Sequence, residues 1–391
     1  MMQGENIVCF AKDWSEDPTS NNHVMKLLAR DNQVLWLNSI ATRTPSLASG
    51  SDLKKIGRKL ASFARGPVEV EPHLSVYTPI VLPFPHSAAA ASVNERILKA
   101  SVGLLRRRRG MGDFQLWAFL PTAVRYAGRL GESLLVYYCT DEWSQFESVD
   151  GSRMAALERE LLERADLVFC TSRTLVERKR VSNPETHLAS HGVDHAHFAK
   201  ALDEGTPVAA EMRGLKRPIL GFFGLVESWI DIDLFAHLAS RRPDWTIVVV
   251  GKAKVDVSRL ARHPNVVLTG RKPYEELPGF CKAWDVALCP FVLNELTRNV
   301  NPIKLREYLS AGLPVVSTGI PEVLHHKDWC EIADDPDAFL AACERALAED
   351  SPDRRRRRSQ AMASETWEAK VAALGEHVLR VKASHRSGSR S

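Results

Sequence analysis

Short apolar runs alternate with amphipathic segments of helical length along most of this chain, in two successive series. The first reads NIVCF, NNHVMKLLAR, QVLWLNS, then FQLWAFL, PTAVRYAGRL, SLLVYYC, MAALERELLERA and DLVFC. Strands apolar on both faces have no side to offer water, so they predict a parallel sheet covered by helices on both sides. After SHGVDHAHF comes AKALDEGTPVAAEMRGLKR, which is polar and without strong periodicity and reads as a linker. The alternation then restarts with PILGFFG, DIDLFAHLASRR, TIVVVG, NVVLTG, YEELPGFCKA, DVALCP, NPIKLREYLSAG, PVVST and DAFLAACERALAED. The fold class expected is α/β, with two doubly wound Rossmann-like domains facing a cleft at the carboxyl ends of both sheets, where ligands bind in this architecture. The boundaries expected are 1–200 for the first domain, 201–215 for the linker and 216–365 for the second domain. A helix over 366–382 and a disordered tail over 383–391 complete the chain.

The composition excludes several classes. With 45% hydrophobic and 26% charged residues the chain is an ordinary globular protein, and a net charge of +4 is too small to imply nucleic acid by itself. Seven cysteines are scattered without a C-x-x-C pair, which fits reduced, buried thiols of a cytoplasmic protein. The opening MMQGENIVCFAKDW has no basic region followed by an apolar stretch, and no run approaches the roughly 18 apolar residues of a membrane span. A cytoplasmic protein, peripheral on the inner face of a membrane, is the expected localisation.

The stretch NVNPIKLREYLSAGLPVVST carries the chemistry. Asn301 before Pro302 reads as an N-cap followed by proline at the first helical position. The free amides of such a helix start, with the positive end of its dipole, attract an anion, and Ile303 and Lys304 stand in that first turn. Glu307 is a neighbour of Lys304 at i,i+3. Positive charge for phosphates, with a carboxylate one turn behind for two ribose hydroxyls, suits a nucleoside diphosphate. An ordinary i,i+3 surface ion pair is the other reading of the same spacing.

This stretch resembles the nucleotide-sugar site of GT-B glycosyltransferases of the family 4 type, in which E-x7-E precedes A-G and a P-V-V strand. SHGVDHAHF is similar to the N-G-V-D-x-x-x-F segment of that family, and GFFGLVESWIDIDLFAHLASRRPDWTIVVVG to the opening of its donor domain. The segment YYCTDEW resembles a bacterial, teichuronic-acid-like subgroup that makes cell-surface polysaccharides. The resemblance implies an acceptor-binding first domain, a donor-binding second domain, and a sugar transferred with retention from a nucleotide-diphosphate sugar to a glycan or lipid-linked acceptor. It implies that Glu307 binds the ribose and that Gly224 lets the backbone approach the phosphates. Two departures stand out. Asn299 occupies the place of the first glutamate, and after Gly224 the chain reads LVESWID without the arginine and lysine that clamp the diphosphate in the family. Lys304, helped by Arg298, is expected to replace that clamp. A non-catalytic nucleotide-sugar-binding relative and a nucleotide-sugar epimerase of the same architecture are the alternatives.

Other constellations have simpler readings. Asp231-Ile232-Asp233 has the spacing of a metal-binding D-x-D, but a helical pattern follows at once, so capping is expected and neither cofactor nor essential metal is. His187, His191, His195 and His197 share no helical face, which argues against zinc. Asp141, with Glu142 in the loop after a first-domain strand, is the candidate for contacting donor sugar or acceptor; Asp13, Asn22 and His23 lie in a corresponding loop. The basic amphipathic stretches LKKIGRKLASFARG (53–66) and SVNERILKASVGLLRRRRGMG suggest an anionic membrane surface rather than nucleic acid, since no nucleic-acid module accompanies them. Arg354 to Arg358 reads as a solvated helix start.

Overall fold

The apolar runs form two separate, largely parallel sheets, because strands without a polar face must be covered on both sides. The structure, a computed structural model, describes residues 2–16, 18–39, 61, 63, 65–82, 88–147 and 149–388. Most of the basic stretch 53–66 therefore lies outside the described residues. The chain divides into two compact units, one of Met1–Ser190 with Lys370–Ser391 and one of His191–Ala369.

In the first unit the strands are β1 (Asn6–Phe10), β2 (Gln33–Leu37), β3 (Val68–Glu71), β4 (Leu74–Tyr77), β5 (Gln115–Ala118), β6 (Leu134–Cys139), β7 (Leu167–Cys170) and β8 (Thr186–Leu188). Their order is β3-β4-β2-β1-β5-β6-β7-β8, and every pair is parallel except β3 with β4. The antiparallel β3 edge is solvent-facing and polar, VEVE, so it left no apolar signal. PTAVRYAGRL, which reads as a helix, forms only the short 3-10 turn Pro121–Arg125; Gly128, at φ 75°, lies beyond its end.

In the second unit β9 (Ile219–Phe223), β10 (Thr246–Val250), β11 (Val266–Gly270), β12 (Val286–Cys289), β13 (Val315–Ser317) and β14 (Cys330–Ile332) are all parallel, in the order β11-β10-β9-β12-β13-β14. The chain leaves β9 toward one edge and returns on its other side as β12. That reversal opens a crevice at the carboxyl ends of β9 and β12, the place where ligands sit on such sheets.

Three boundaries differ from the sequence expectation, and the first is that residues 191–200, expected in the first domain, belong to the second unit. Residues 201–215 do not form a free linker: Ala201 and Met212 are buried in the second unit's core beside Phe198. The Lys282 ammonium donates to the carbonyls of Asp203, Glu204 and Thr206 at 2.6, 2.9 and 2.8 Å, and the Ala209 amide to the Gly279 carbonyl at 3.1 Å. Irregularly spaced anchors of this kind carry no periodicity. The last helix runs Trp367–Gly388 instead of ending at 382, with Lys382 paired to Glu5 and His385 3.6 Å from Asp166.

All seven cysteines are unpaired and six are buried. No helix of the described residues is long and apolar enough to cross a membrane.

Candidate functional site

Glycines end the central strands of the second sheet. Gly224 follows β9 at φ 132° and its amide donates to the Val250 carbonyl at 2.8 Å; Gly251 follows β10 at φ 152°. A methyl group on Gly251 would stand 1.9 Å from the Gly224 carbonyl oxygen, so the two backbones approach as only glycines allow. Over this floor lies the helix Ile303–Ser310. Its buried Tyr308 accepts the Phe223 amide at 2.9 Å, tying the helix to the end of β9. One turn earlier Lys304 comes to rest on Gly224: a methyl there would lie 2.1 Å from Lys304 Cε and 2.8 Å from Nζ. The same ammonium is 5.7 Å from the Phe222 ring centroid.

Glu307 is partly exposed, on the same side of the helix. Burial pushes its carboxyl up to about 7, against the pull of the Lys304 charge. A carboxylate held at such a site without a close ion pair is costly, which marks Glu307 as a candidate for ligand binding. Nearby, Tyr274 stacks on His197 at 4.4 Å, and its phenol is raised by burial and by the negative charges of Glu307 and Asp194.

The helix start differs from the expected one. Pro302, at ψ 115°, is the N-cap residue and Ile303 the first helical residue, and the N-cap residue itself offers no side-chain cap. Asn301, expected as the cap, is 3% exposed and accepts from Arg306 Nη1 at 2.7 Å. Asn299 is fully buried and its amide donates to the Glu295 carbonyl at 2.7 Å, so it shapes the loop before the helix. Arg298 is exposed in the 3-10 turn Thr297–Asn299. The structure thus brings Gly224, Ile303, Lys304 and Glu307 to one end of the sheet, with Arg298 on the loop leading there.

Asp141 belongs to the first unit, two residues after β6, with its carboxyl raised by burial and lowered in part by the Thr140 hydroxyl. Beside it Glu142 and Glu158 share Lys179, 2.8 Å from each, and the Tyr137 hydroxyl donates to Glu158 at 2.6 Å. Asp13 accepts from the Ser39 amide and hydroxyl at 3.0 and 2.7 Å, and Asn22 closes a capping box with Thr19.

Asp231 caps the helix Ile232–Arg241 by accepting the Leu234 amide at 2.8 Å, while Asp233 pairs with Arg259 at 2.6 Å. The four histidines scatter: His187 to Glu185, His195 to Ser359, His197 to the Tyr274 carbonyl, and His191 against Trp367. The run Arg354–Arg358 is not simply solvated, because Arg355 and Arg358 turn inward to Asp350, 2.6 Å from each.

Reading the sequence missed Tyr308, Arg306 and Gly251. Gly251 had a visible signal, since TIVVVG repeats the strand-then-glycine pattern of ILGFFG. Tyr308 and Arg306 had none, because their partners are brought to them by the fold.

Residues 217–349 match the family described as glycosyl transferases group 1. This stretch is similar to the domain that defines the group 1 glycosyl transferases. The glycine floor and the Lys304 helix both fall within the match. The putative teichuronic acid biosynthesis glycosyltransferase TuaH of Bacillus subtilis is 28% identical over 255 residues, which are 60% of this chain and 64% of that relative. The chain thus spans less than two thirds of the length of that curated relative. Among solved structures, sucrose-phosphate synthase from Thermosynechococcus elongatus superposes with a TM-score of 0.69 at 15% identity, over 97% of this chain and 100% of that one. Anabaena HepE, solved in complex with UDP, gives a TM-score of 0.63 at 14% identity, again over 97% and 100%. The fold is GT-B, two Rossmann-like domains, and the residues that match the family model lie in the second.

Proposed function

We propose that the protein is a glycosyltransferase that moves a sugar, with retention, from a nucleoside-diphosphate sugar to a hydroxyl of a glycan or lipid-linked acceptor in cell-surface polysaccharide synthesis. The observation that carries this reading is the meeting of Lys304 with Gly224 beneath a helix start whose N-cap residue offers no side-chain cap, with Glu307 one turn on. Glycine lets the diphosphate reach the strand end, the free amides and Lys304 oppose its charge, and the Glu307 carboxylate accepts from two ribose hydroxyls. Arg298 adds a second cation from the preceding loop. The TuaH relative, a teichuronic acid biosynthesis glycosyltransferase by name, and HepE, solved with UDP, support the donor class and the pathway type.

In the proposed reaction the bond from the anomeric carbon to the diphosphate oxygen breaks as the acceptor oxygen bonds the same carbon from the same face. The leaving phosphate takes the acceptor proton, so the chain supplies orientation and charge stabilisation more than a base. Lys304 and the amides from Ile303 onward stabilise the leaving group without a metal. Asp141, in the first unit, is the proposed contact for the donor sugar or acceptor. An anionic membrane surface is the proposed partner of helix Ala88–Arg108: its exposed residues include Arg96, Lys99, Arg107 and Arg108 together with Val93 and Leu104, and no acid.

Thermal stability with UDP, GDP, ADP or dTDP, with and without chelator, tests the donor site. One diphosphate should raise the wild-type midpoint regardless of chelator, since saturation at about a hundred times Kd adds about 2.7 kcal/mol, and Glu307→Ala and Lys304→Ala should lose the shift. No shift with any of the four, or an equal shift in both variants, overturns the reading.

A further inference from the structure

An asparagine followed by proline is what a helix start ordinarily uses, with Asn as cap and Pro as first residue. Here the helix begins one residue later, and the Asn301 side-chain oxygen Oδ1 accepts instead from Arg306 Nη1 at 2.7 Å. Arg306 is 3% exposed, and at 3.6 residues per turn it stands about 200° round the helix from Lys304. Its guanidinium is anchored a second time by the Glu365 carboxylate at 3.5 Å, and the Glu365 carbonyl accepts the Val193 amide at 2.9 Å.

We propose that Arg306 is a positioning residue that draws Asn301 away from the cap and so keeps the first-turn amides of the helix open for the donor diphosphate. Two starts compete for this segment. In the closed one, Asn301 accepts an amide two or three residues on and fewer first-turn donors are left for an anion. In the open one, seen here, Arg306 holds Asn301 and the amides around Lys304 stay free of it. The inference rests on the donor-site reading and adds what selects its binding-competent form. Without Arg306 the closed start is favoured and the diphosphate, not the nucleoside, loses its contacts.

The experiment titrates wild type, Arg306→Met, Asn301→Ala and the double variant with the diphosphate that stabilises the wild type and with its parent nucleoside. Arg306→Met should weaken the diphosphate about tenfold or more and leave the nucleoside within about twofold. Asn301→Ala alone should stay near wild type, and added to Arg306→Met it should recover at least half of the loss on a logarithmic scale, since no cap is left to close. A double variant as weak as Arg306→Met, or a parallel loss of nucleoside, overturns the proposal. If Arg306→Met does not fold, Glu365→Gln loosens the same guanidinium; it should show a smaller selective loss that Asn301→Ala reverses, and a loss not so reversed overturns the proposal equally. Wild type that binds none of the four diphosphates overturns the donor site and this inference together, whereas binding without the reversal overturns only this one.

Discussion

The Phe223 amide donates to the Tyr308 phenol oxygen at 2.9 Å, and the phenol lies 3.4 Å from the Phe223 carbonyl that it donates to. The two residues are 85 positions apart, and their bond sets the height of the Lys304 helix over the end of β9. Tyr308→Phe leaves a buried amide without its acceptor. We expect a loss of about 1–3 kcal/mol in urea unfolding. A weaker diphosphate-induced midpoint shift should accompany it, as Lys304 loses its register over Gly224.

Gly251→Ala and Gly224→Ala should differ in degree. At 251 the new methyl meets a backbone oxygen at 1.9 Å, which cannot yield without moving β9. At 224 it meets the flexible end of Lys304, so the ammonium is displaced and the left-handed backbone is strained, at about 1–3 kcal/mol. The thermal midpoint should fall further for Gly251→Ala, while Gly224→Ala, still folded, should no longer respond to the diphosphate. An unaltered response in Gly224→Ala would contradict the placement of the phosphates.

Glu307 makes the ligand-free protein sensitive to pH. Its carboxyl titrates near 4.5 in an unfolded chain and about 7 when folded, so the folded state holds the proton longer. The stability this contributes is complete below about pH 4.5 and is lost as pH rises through 7. At about 1.4 kcal/mol per unit the whole change is about 3 kcal/mol. Glu307→Gln should therefore be more stable than wild type at pH 8 and lose that advantage by pH 5, measured as urea midpoints. Parallel pH profiles for the two proteins would refute the assignment.

Lys179 holds Glu142 and Glu158 in a site where all three side chains are at most 8% exposed. Lys179→Met leaves two buried carboxylates facing each other, at about 3–5 kcal/mol. Adding Glu142→Gln and Glu158→Gln should restore much of the lost stability, and failure to do so would mean that the methionine itself packs badly.

Helix Ala88–Arg108 predicts binding to vesicles of anionic lipid. Each exposed basic residue should contribute about 1 kcal/mol near a charged surface. Replacing Arg96, Lys99, Arg107 and Arg108 with glutamine should abolish flotation with phosphatidylserine or phosphatidylglycerol vesicles and leave the thermal midpoint nearly unchanged. Equal flotation of wild type with neutral vesicles would remove the case for this surface.

Much of the architecture was legible because its causes are local. Runs such as TIVVV and VALC are apolar on both faces, which leaves a buried parallel strand as their stable use, and the i,i+3 pair of Lys304 and Glu307 follows from helix geometry alone. Asp231 likewise announces itself by standing directly before a helical pattern, and it caps that helix. The tertiary structure decided what depends on partners far along the chain. Residues 201–215 look like linker until Lys282 gathers three of their carbonyls. Asn301 looks like a cap until Arg306, held by Glu365 from 59 residues away, takes its oxygen. Lys304 acquires its place only when Tyr308 finds Phe223. Periodicity and propensity report the energy of a segment with itself, whereas a hydrogen bond across 59 or 85 residues exists only after the second unit has folded and brought its two ends together.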